Sequence, residues 1–268
     1  MRTAMRTIVV KLGGEVVGDA RLASIAADLG VLARAGERVV VVHGGGPQAT
    51  ALSKRLGIEP RLVGGRRITD GPTLSVVKMV VAGELNVDLC AALRAAGLKP
   101  VGLHTAVQAA RRPPRVVEGG GPEAIDFGFV GDVTGIDLAL LAALHGAGYV
   151  PVLACLGSGA GGEVFNINAD VVANELAVAV GADPLVLVTS APGVLRDVKD
   201  PTSRIASLTV AEGRAAIADG TVTGGMIPKL AESFAALEAG VRRIVIVDGQ
   251  VARAVREPGA VGTTLVGA

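Results

Sequence analysis

Short runs of Val, Ile and Leu alternate with longer Ala- and Leu-rich stretches along most of this chain of 268 residues. Uninterrupted aliphatic runs are typical of parallel strands buried on both faces, and the stretches between them have helical spacing. The alternation therefore predicts an α/β fold, a three-layer αβα sandwich with a mainly parallel, open sheet. The predicted strands are Thr7–Leu12, Arg38–Val42, Pro100–Leu103, Val150–Ala154, Leu185–Thr189 and Arg243–Val247.

The predicted helices lie between these strands, and glycine-rich β-hairpins decorate one end of the sandwich. The helices cover 22–33, a stretch opened by Pro47, 72–96, 136–147, 169–180 and a stretch that carries Leu230, Phe234 and Leu237. One predicted hairpin has arms at 115–117 and 127–130, joined by a glycine turn at 118–121, and another turns through 157–162. We expect two lobes on a continuous sheet, residues 1–182 and 183–268.

Charge and cysteine content exclude several classes of function. Lys and Arg number 26 against 25 Asp and Glu, so no overall field attracts nucleic acid or an acidic membrane. With 2 Cys and 3 His, neither a disulfide framework nor a zinc site is expected. The basic N-terminus lacks a signal-peptide core, and no apolar run reaches the ~18 residues of a membrane span. We expect a cytoplasmic protein that acts on small molecules.

Two glycine-rich loops follow predicted strands. Lys11 precedes Gly13 and Gly14, and His43 precedes three glycines and Pro47. Ligands of open α/β sheets bind outside the carboxyl ends of the strands, where glycines let backbone amides approach an anion. The two loops therefore predict an anion-binding cradle. The alternatives are a lysine that snorkels from a sheet edge and a merely tight turn.

Two further motifs carry charge near predicted helix starts. Asn166 and Asp170 lie outside a strand end, where one could hydrogen-bond a ligand and the other could hold a lysine. Alternatively, Asn168 or Asp170 simply caps the following helix. Lys229 lies near the start of a helix, where the macrodipole disfavours a cation. We expect an anion beside it.

Arg66 and Arg67 follow two glycines in a predicted hairpin, where they are either solvated or form a clamp for a carboxylate. Residues 157–162 match G-x-G-x-x-G, but an extended run follows them rather than a helix, so they do not predict a dinucleotide site. The chain contains no Gly-Lys pair, which excludes a P-loop, and no G-x-S-x-G, which argues against a hydrolase.

With KLGG, HGGGP, GGRRITD, NINAD and GGMIPK in this order, the chain closely resembles the amino acid kinase superfamily and, within it, the acetylglutamate kinase family. The resemblance covers essentially the whole length. It implies an N-terminal lobe that binds the amino-acid derivative and a C-terminal lobe that binds MgATP. The implied reaction is transfer of phosphate from ATP to the γ-carboxylate of N-acetyl-L-glutamate in arginine biosynthesis, with Mg²⁺ held mainly by the ATP phosphates.

The resemblance also implies roles for individual residues. Lys11 and Lys229 match lysines that touch the transferred phosphate, and Asp170 would orient both. Residues implied to bind the substrate are Gly45, Gly46, Arg67 and Asn166. Those implied to bind phosphate or ATP are Gly13, Gly14, Gly44, Ser190, Gly193, Leu195, Thr221 and Thr223. A carboxylate nucleophile is ionised at neutral pH, so this chemistry needs alignment and charge neutralisation but no general base.

Two segments depart from the pattern of the family. Ser190 replaces a usual aspartate near the nucleotide, and residues 102–107 replace a Gly-Leu-Ser-Gly-x-Asp stretch. The first departure concerns nucleotide affinity and the second concerns the substrate. The alternatives are a kinase for a related acylated amino acid such as acetylaminoadipate, and a non-catalytic ligand-binding member of the fold. Few residues precede the first strand, so we expect a homodimer through the helix at 72–96 that is insensitive to arginine.

Overall fold

A computed structural model describes residues 6–117 and 121–267 of the chain. The strands are β1 Thr7–Leu12, β2 Arg38–His43, β3 Leu62–Val63, β4 Arg66–Arg67, β5 Pro100–Leu103, β6 Val107–Arg111, β7 Gly131–Ile136, β8 Val150–Ala154, β9 Leu156–Ser158, β10 Val164–Asn166, β11 Leu185–Val188, β12 Ser207–Thr209, β13 Arg243–Val247 and β14 Thr263–Val266. The α-helices are α1 Gly14–Val17, α2 Leu22–Arg34, α3 Gly46–Arg55, α4 Gly71–Val77, α5 Asn86–Ala95, α6 Leu138–Gly146, α7 Ala169–Val180, α8 Val210–Ala218, α9 Met226–Glu238 and α10 Val251–Arg256.

An eight-stranded sheet forms the centre of the fold, in the order β12-β14-β13-β11-β1-β2-β8-β5. The six strands from β13 to β5 pair in parallel, whereas β14 runs antiparallel to β13. Aliphatic side chains of β1 are 0% exposed on both faces of the sheet, as a strand between two helical layers requires. The predicted mainly parallel αβα sandwich is confirmed.

Helices pack on the sheet in two groups. In one group α2 contacts both α5 and α10, and in the other α9 contacts both α7 and α8. The buried core between these helices and the sheet is almost entirely aliphatic, with Val and Leu on the strands and Leu and Ala on the helices. Within the described ranges, no helix has both the length and the apolar character needed to cross a membrane.

The long helix predicted over 72–96 contains a π-helical segment. After α4, residues Lys78–Leu85 form a π-helix, and α5 continues from Asn86. Buried positions step by five residues here, from Val80 to Leu85 and from Val81 to Asn86. A π-helix has i→i+5 hydrogen bonds, so its wider turn keeps both pairs of residues on the core side.

The hairpins differ in part from prediction. The arms predicted at 115–117 and 127–130 are wrong: the paired strands are β6 and β7, and between them Arg115 and Ile125 form an isolated antiparallel bridge. Part of the predicted glycine turn, 118–120, lies outside the described residues. Ile136 ends β7 rather than starting a helix, because Asp137 caps α6 through its side chain. The hairpin through 157–162 is confirmed, since β9 and β10 pair antiparallel.

Candidate active site

The carboxyl ends of β1 and β2 lie side by side in the sheet, with Leu12 opposite His43. The loop after β1 carries Gly13 and Gly14, and the loop after β2 carries Gly44 to Gly46 at the start of α3. β1 is the switch point of the sheet. The earlier strands β2, β5 and β8 lie on one side of it, and the later strands β11 to β14 lie on the other. Ligands of open parallel sheets bind at such points.

The two loops approach each other so closely that glycine is required. A Cβ atom on Gly14 would lie 3.0 Å from the Cα atom of Gly45 and 3.1 Å from its nitrogen. A Cβ atom on Gly45 would lie 2.6 Å from Cδ1 of Leu85. The N-cap of α3 is Gly45, which offers no side chain, so the first amides of this helix remain available to a ligand.

Asp170 lies between the two predicted catalytic lysines. Lys11 Nζ is 2.8 Å from Oδ1 of Asp170, and Lys229 Nζ is 4.0 Å from Oδ2. Oδ1 receives no well-aligned hydrogen bond within the described chain, so its contact with Lys11 is an ion pair. The helix cap is Asn168, whose side chain accepts from the amide of Asp170 at 2.9 Å. The Asp170 carboxylate is therefore left to the lysines.

Burial and charge shift the titration of this cluster. Burial by itself would raise the pKa of Asp170, but the charges of Lys11 and Lys229 outweigh burial and lower it. Burial lowers the pKa of Lys229; Asp170 opposes this shift and Lys11 adds to it. Two ammonium groups share one carboxylate, so the cluster keeps a net positive charge where an anion can be bound.

Arg67 and Asn166 line the same cavity as Lys11. Arg67 Nη2 donates to the carbonyl of Gly46 at 3.0 Å and to the hydroxyl of Thr50 at 2.6 Å. Its Nη1 is buried without a partner in the described part of the chain, and burial lowers the pKa of the guanidinium. Asn166 Nδ2 donates to the hydroxyl of Thr69 at 3.1 Å. Arg67 thus has one unpaired guanidinium nitrogen within the described residues, in a side chain that lines the cavity.

A cavity of about 500 Å³ is lined by most of these groups, but Asp170 and Lys229 are not in its lining. Its lining includes Lys11, Gly13, Gly14, Gly44, Gly45, Gly46, Arg67 and Asn166. The structure therefore brings together most residues predicted at the phosphate and substrate end. Residues 102–107, where the sequence departs from the family pattern, lie outside this lining, on the end of β5, the following turn and the first residue of β6.

The residues predicted at the nucleotide end lie away from that cavity lining. Ser190 is exposed at the end of β11, and the predicted contacts Thr221 and Thr223 precede α9. Gly193 has a φ of +144°, and a Cβ atom there would lie 2.7 Å from Oγ1 of Thr263. Leu195 forms an isolated bridge with Arg204. None of these five residues is in the lining of the cavity, and Gly193 is buried.

Two charged residues that line the cavity, Glu15 and Arg112, were not predicted from the sequence. Arg112 is 5% exposed, and its Nε lies 2.8 Å from the carboxylate of Asp132. An arginine after a strand usually faces solvent, and the partner of Arg112 is twenty residues away in sequence. No local pattern could have identified it.

The chain is similar to known proteins over nearly its whole length. The model of the amino acid kinase family matches residues 6–248. An acetylglutamate kinase of Sorangium cellulosum (strain So ce56) is 61% identical, over 98% of this chain and 96% of the relative. An acetylglutamate kinase of Anaeromyxobacter sp. (strain K) is 59% identical, over 98% of this chain and 100% of the relative.

A solved structure of N-acetylglutamate synthase from Neisseria gonorrhoeae, complexed with coenzyme A and N-acetyl-glutamate, has the same fold. It superposes with a TM-score of 0.82 at 27% identity, over 97% of this chain and 59% of that longer chain.

Proposed function

The chain belongs to the amino acid kinase family, and from this premise we propose that it transfers phosphate from ATP to the γ-carboxylate of N-acetyl-L-glutamate. The products are N-acetyl-L-glutamyl 5-phosphate and ADP, in arginine biosynthesis. The observation that carries the assignment of the reacting groups is the ion cluster of Lys11, Asp170 and Lys229 beside two glycine loops.

We propose that Lys11 and Lys229 contact the transferred phosphoryl group from its two sides. Phosphoryl transfer spreads negative charge over the equatorial oxygens, so catalysis consists mainly of alignment and charge neutralisation. Asp170 is a positioning residue that holds both ammonium groups. Gly14 would present its backbone amide to the phosphates. The amides of Gly13 and Gly44 are bonded to the carbonyls of Val188 and Leu12, so these two glycines would instead let the phosphates approach the backbone closely. The γ-carboxylate is already ionised near neutral pH, so the step needs no base.

We propose that the acyl amino acid lies between the α3 loop and Arg67. The free Nη1 of Arg67 would bind the α-carboxylate, while Asn166 and the amides of Gly45 and Gly46 would bind the remaining polar atoms. A planar guanidinium matches a carboxylate better than a lysine would. This arrangement leaves the γ-carboxylate at the Lys11 end of the cavity.

For the nucleotide, we propose contacts with five residues of the C-terminal part of the chain: Ser190, Gly193, Leu195, Thr221 and Thr223. Residues 1–182 would then bind the amino acid and residues 183–268 the ATP. Mg²⁺ would be held mainly by the ATP phosphates, where it neutralises their charge; Asp170 is already engaged by two lysines.

We further propose a cytoplasmic homodimer that pairs through the helix running from α4 to α5 and is insensitive to arginine. Met79 and Val87 on this helix are 60% and 63% exposed. Large apolar side chains exposed on one helix are typical of an interface. Light scattering tests the proposed oligomeric state: we expect a dimer, and a hexamer would contradict the proposal.

The activity is tested by coupled ADP release with five acceptors: N-acetylglutamate, acetylaminoadipate, aspartate, carbamate and UMP. We expect the highest kcat/KM with N-acetylglutamate. Lys229→Met should abolish most turnover, whereas the control Lys54→Met, on the exposed side of α3, should not. Equal activity of Lys229→Met and the parent would contradict the mechanism.

A further inference from the structure

A buried polar network lies behind the loop of Gly44 to Gly46. His43 ends β2 and Asn86 begins α5, and their exposed fractions are 0% and 3%. The Nε2 atom of His43 lies 3.0 Å from Nδ2 of Asn86, and its Nδ1 atom lies 3.0 Å from the carbonyl oxygen of Gly44. The reaction described above uses neither side chain. Buried polar groups are costly, so their place beside this loop calls for a reason.

The hydrogen-bond partners determine which imidazole nitrogen carries the proton. Asn86 Nδ2 also lies 3.2 Å from the carbonyl oxygen of Val152, and Oδ1 of Asn86 faces the thiol of Cys90 at 3.8 Å. A carbonyl accepts only from a donor, so the amide nitrogen is on this side and donates to Nε2 of His43. Nδ1 therefore carries the proton and donates to Gly44. Burial lowers the pKa of His43, in keeping with a neutral ring.

The carbonyl held by His43 belongs to the peptide that joins Gly44 and Gly45. In a planar trans peptide, the C=O and the following N–H point in opposite directions. With the oxygen held towards His43, the N–H of Gly45 points away from it. The amide of Gly44 is itself bonded to the carbonyl of Leu12 at 3.0 Å. The backbone is thus fixed on both sides of Gly44.

We propose that His43 and Asn86 are positioning residues that hold the Gly44–Gly45 peptide with its N–H directed to the phosphate and substrate. This inference rests on the proposed function, which assigns the loop to those ligands. Asn86 also ties the first turn of α5 to β2 and, through Val152, to β8. The helix α5, which follows the π-helical segment, thereby holds the loop in place.

Gly102 offers a way to disturb the network without changing it directly. Gly102 is in β5, and a Cβ atom there would collide with Oδ1 of Asn86. Gly102→Ala should therefore displace Asn86 from outside the loop. Gly146→Ala, at the end of α6, is a matched control because a Cβ atom there would meet nothing within 4 Å in the described part of the chain beyond its own helix backbone and chain neighbours.

The proton position is tested by ¹⁵N NMR of enzyme labelled in its 3 histidines, with His43 assigned by its loss in His43→Gln. We expect one-bond coupling to hydrogen at Nδ1 and none at Nε2. In Asn86→Asp the introduced carboxylate accepts rather than donates, so Nε2 should become protonated. A parent enzyme with the His43 proton on Nε2 would overturn the proposal.

The effect on catalysis is tested by steady-state kinetics of Asn86→Leu and Gly102→Ala, with thermal unfolding to verify the fold. Misplacing an amide that acts in the transition state should lower kcat by about ten-fold or more, with a smaller change in KM for N-acetylglutamate. Gly146→Ala should match the parent. Parent-like kcat in both folded variants would overturn the proposal.

The outcomes separate this inference from the proposed function. If Asn86→Leu does not fold, Gly102→Ala and the NMR measurement on the parent decide. A parent enzyme that fails to phosphorylate N-acetylglutamate would remove the proposed function. The imidazole signals would still show whether Nδ1 of His43 carries the proton that it donates to the carbonyl of Gly44.

Discussion

Replacing Asp170 with asparagine removes the anion between Lys11 and Lys229 and keeps the shape of the side chain. At an effective dielectric constant of about 20, unit charges separated by the observed 2.8 Å and 4.0 Å attract by about 6 and 4 kcal/mol. Desolvation of the ions cancels much of this attraction. The net loss of unfolding free energy is therefore determined by the two lysines, which remain partly buried without their counter-charge.

Breaking a buried ion pair by removing one partner costs roughly 3–5 kcal/mol. The side chain of Lys11 is only 8% exposed, but those of Lys229 and Asp170 are 18% and 21% exposed, so water screens part of the cluster. We therefore expect Asp170→Asn to lose about 3 kcal/mol of unfolding free energy near neutral pH, the low end of that range.

The pH dependence follows from the pKa of Asp170, which is lowered in the folded protein from its ordinary 3.8. A carboxylate with a depressed folded pKa stabilises the fold fully above its unfolded pKa, and this stabilisation is lost as the pH falls through the folded pKa. The difference between parent and Asp170→Asn should therefore be constant near neutrality and shrink below about pH 4.

Urea denaturation across this pH range measures the difference. The control is Glu238→Gln, which breaks an ion pair with Arg214 whose side chains are 52% and 61% exposed. An exposed pair contributes about 0–1 kcal/mol, so the control should be nearly neutral. A stability of Asp170→Asn equal to that of the parent at neutral pH, or a deficit that grows with acid, would refute the reasoning.

Three further predictions concern activity. Arg67→Lys should raise KM for N-acetylglutamate about ten-fold with a smaller fall in kcat, because an ammonium cannot replace a planar fork; steady-state kinetics measures both constants, and a change confined to kcat would contradict it. Gly14→Ala should lower kcat/KM for ATP, because its Cβ atom would lie 3.0 Å from the Gly45 backbone, whereas Gly71→Ala, with open space around the added atom, should not. Burial lowers the pKa of Lys229 from its ordinary 10.5, so the ammonium should lose its proton, and kcat should decline, at a pH below 10.5. Lys229→Arg should move this decline to higher pH, because a guanidinium stays charged.

The sheet could be predicted from sequence because its strands are uninterrupted aliphatic runs. The predicted bounds of β1, β5, β8 and β13 match the structure. The strands β6 and β7 were not predicted, because polar residues such as Gln108 interrupt their apolar positions. Three of the five residues of β6 are exposed, and most residues of β7 are half-buried. The π-helical segment was also missed, since the five-residue step in burial ends partly on Asn86, a polar residue.

The candidate site was partly predictable for a similar reason. Lys11 lies near the end of β1, and Asp170 lies at the start of α7. Their positions in the chain therefore already place both at the edge of the sheet. Arg112 and Asn86 depend on partners distant in sequence, Asp132 and His43. Such pairs become visible only when the strands and helices are assembled.

The most direct test of the account is chemical trapping of the acyl phosphate. With ATP, N-acetylglutamate and hydroxylamine, we expect the γ-hydroxamate of N-acetylglutamate to form in step with ADP, and Lys229→Met to suppress both products together. Release of ADP without hydroxamate, or faster hydroxamate formation from acetylaminoadipate than from N-acetylglutamate, would contradict the account.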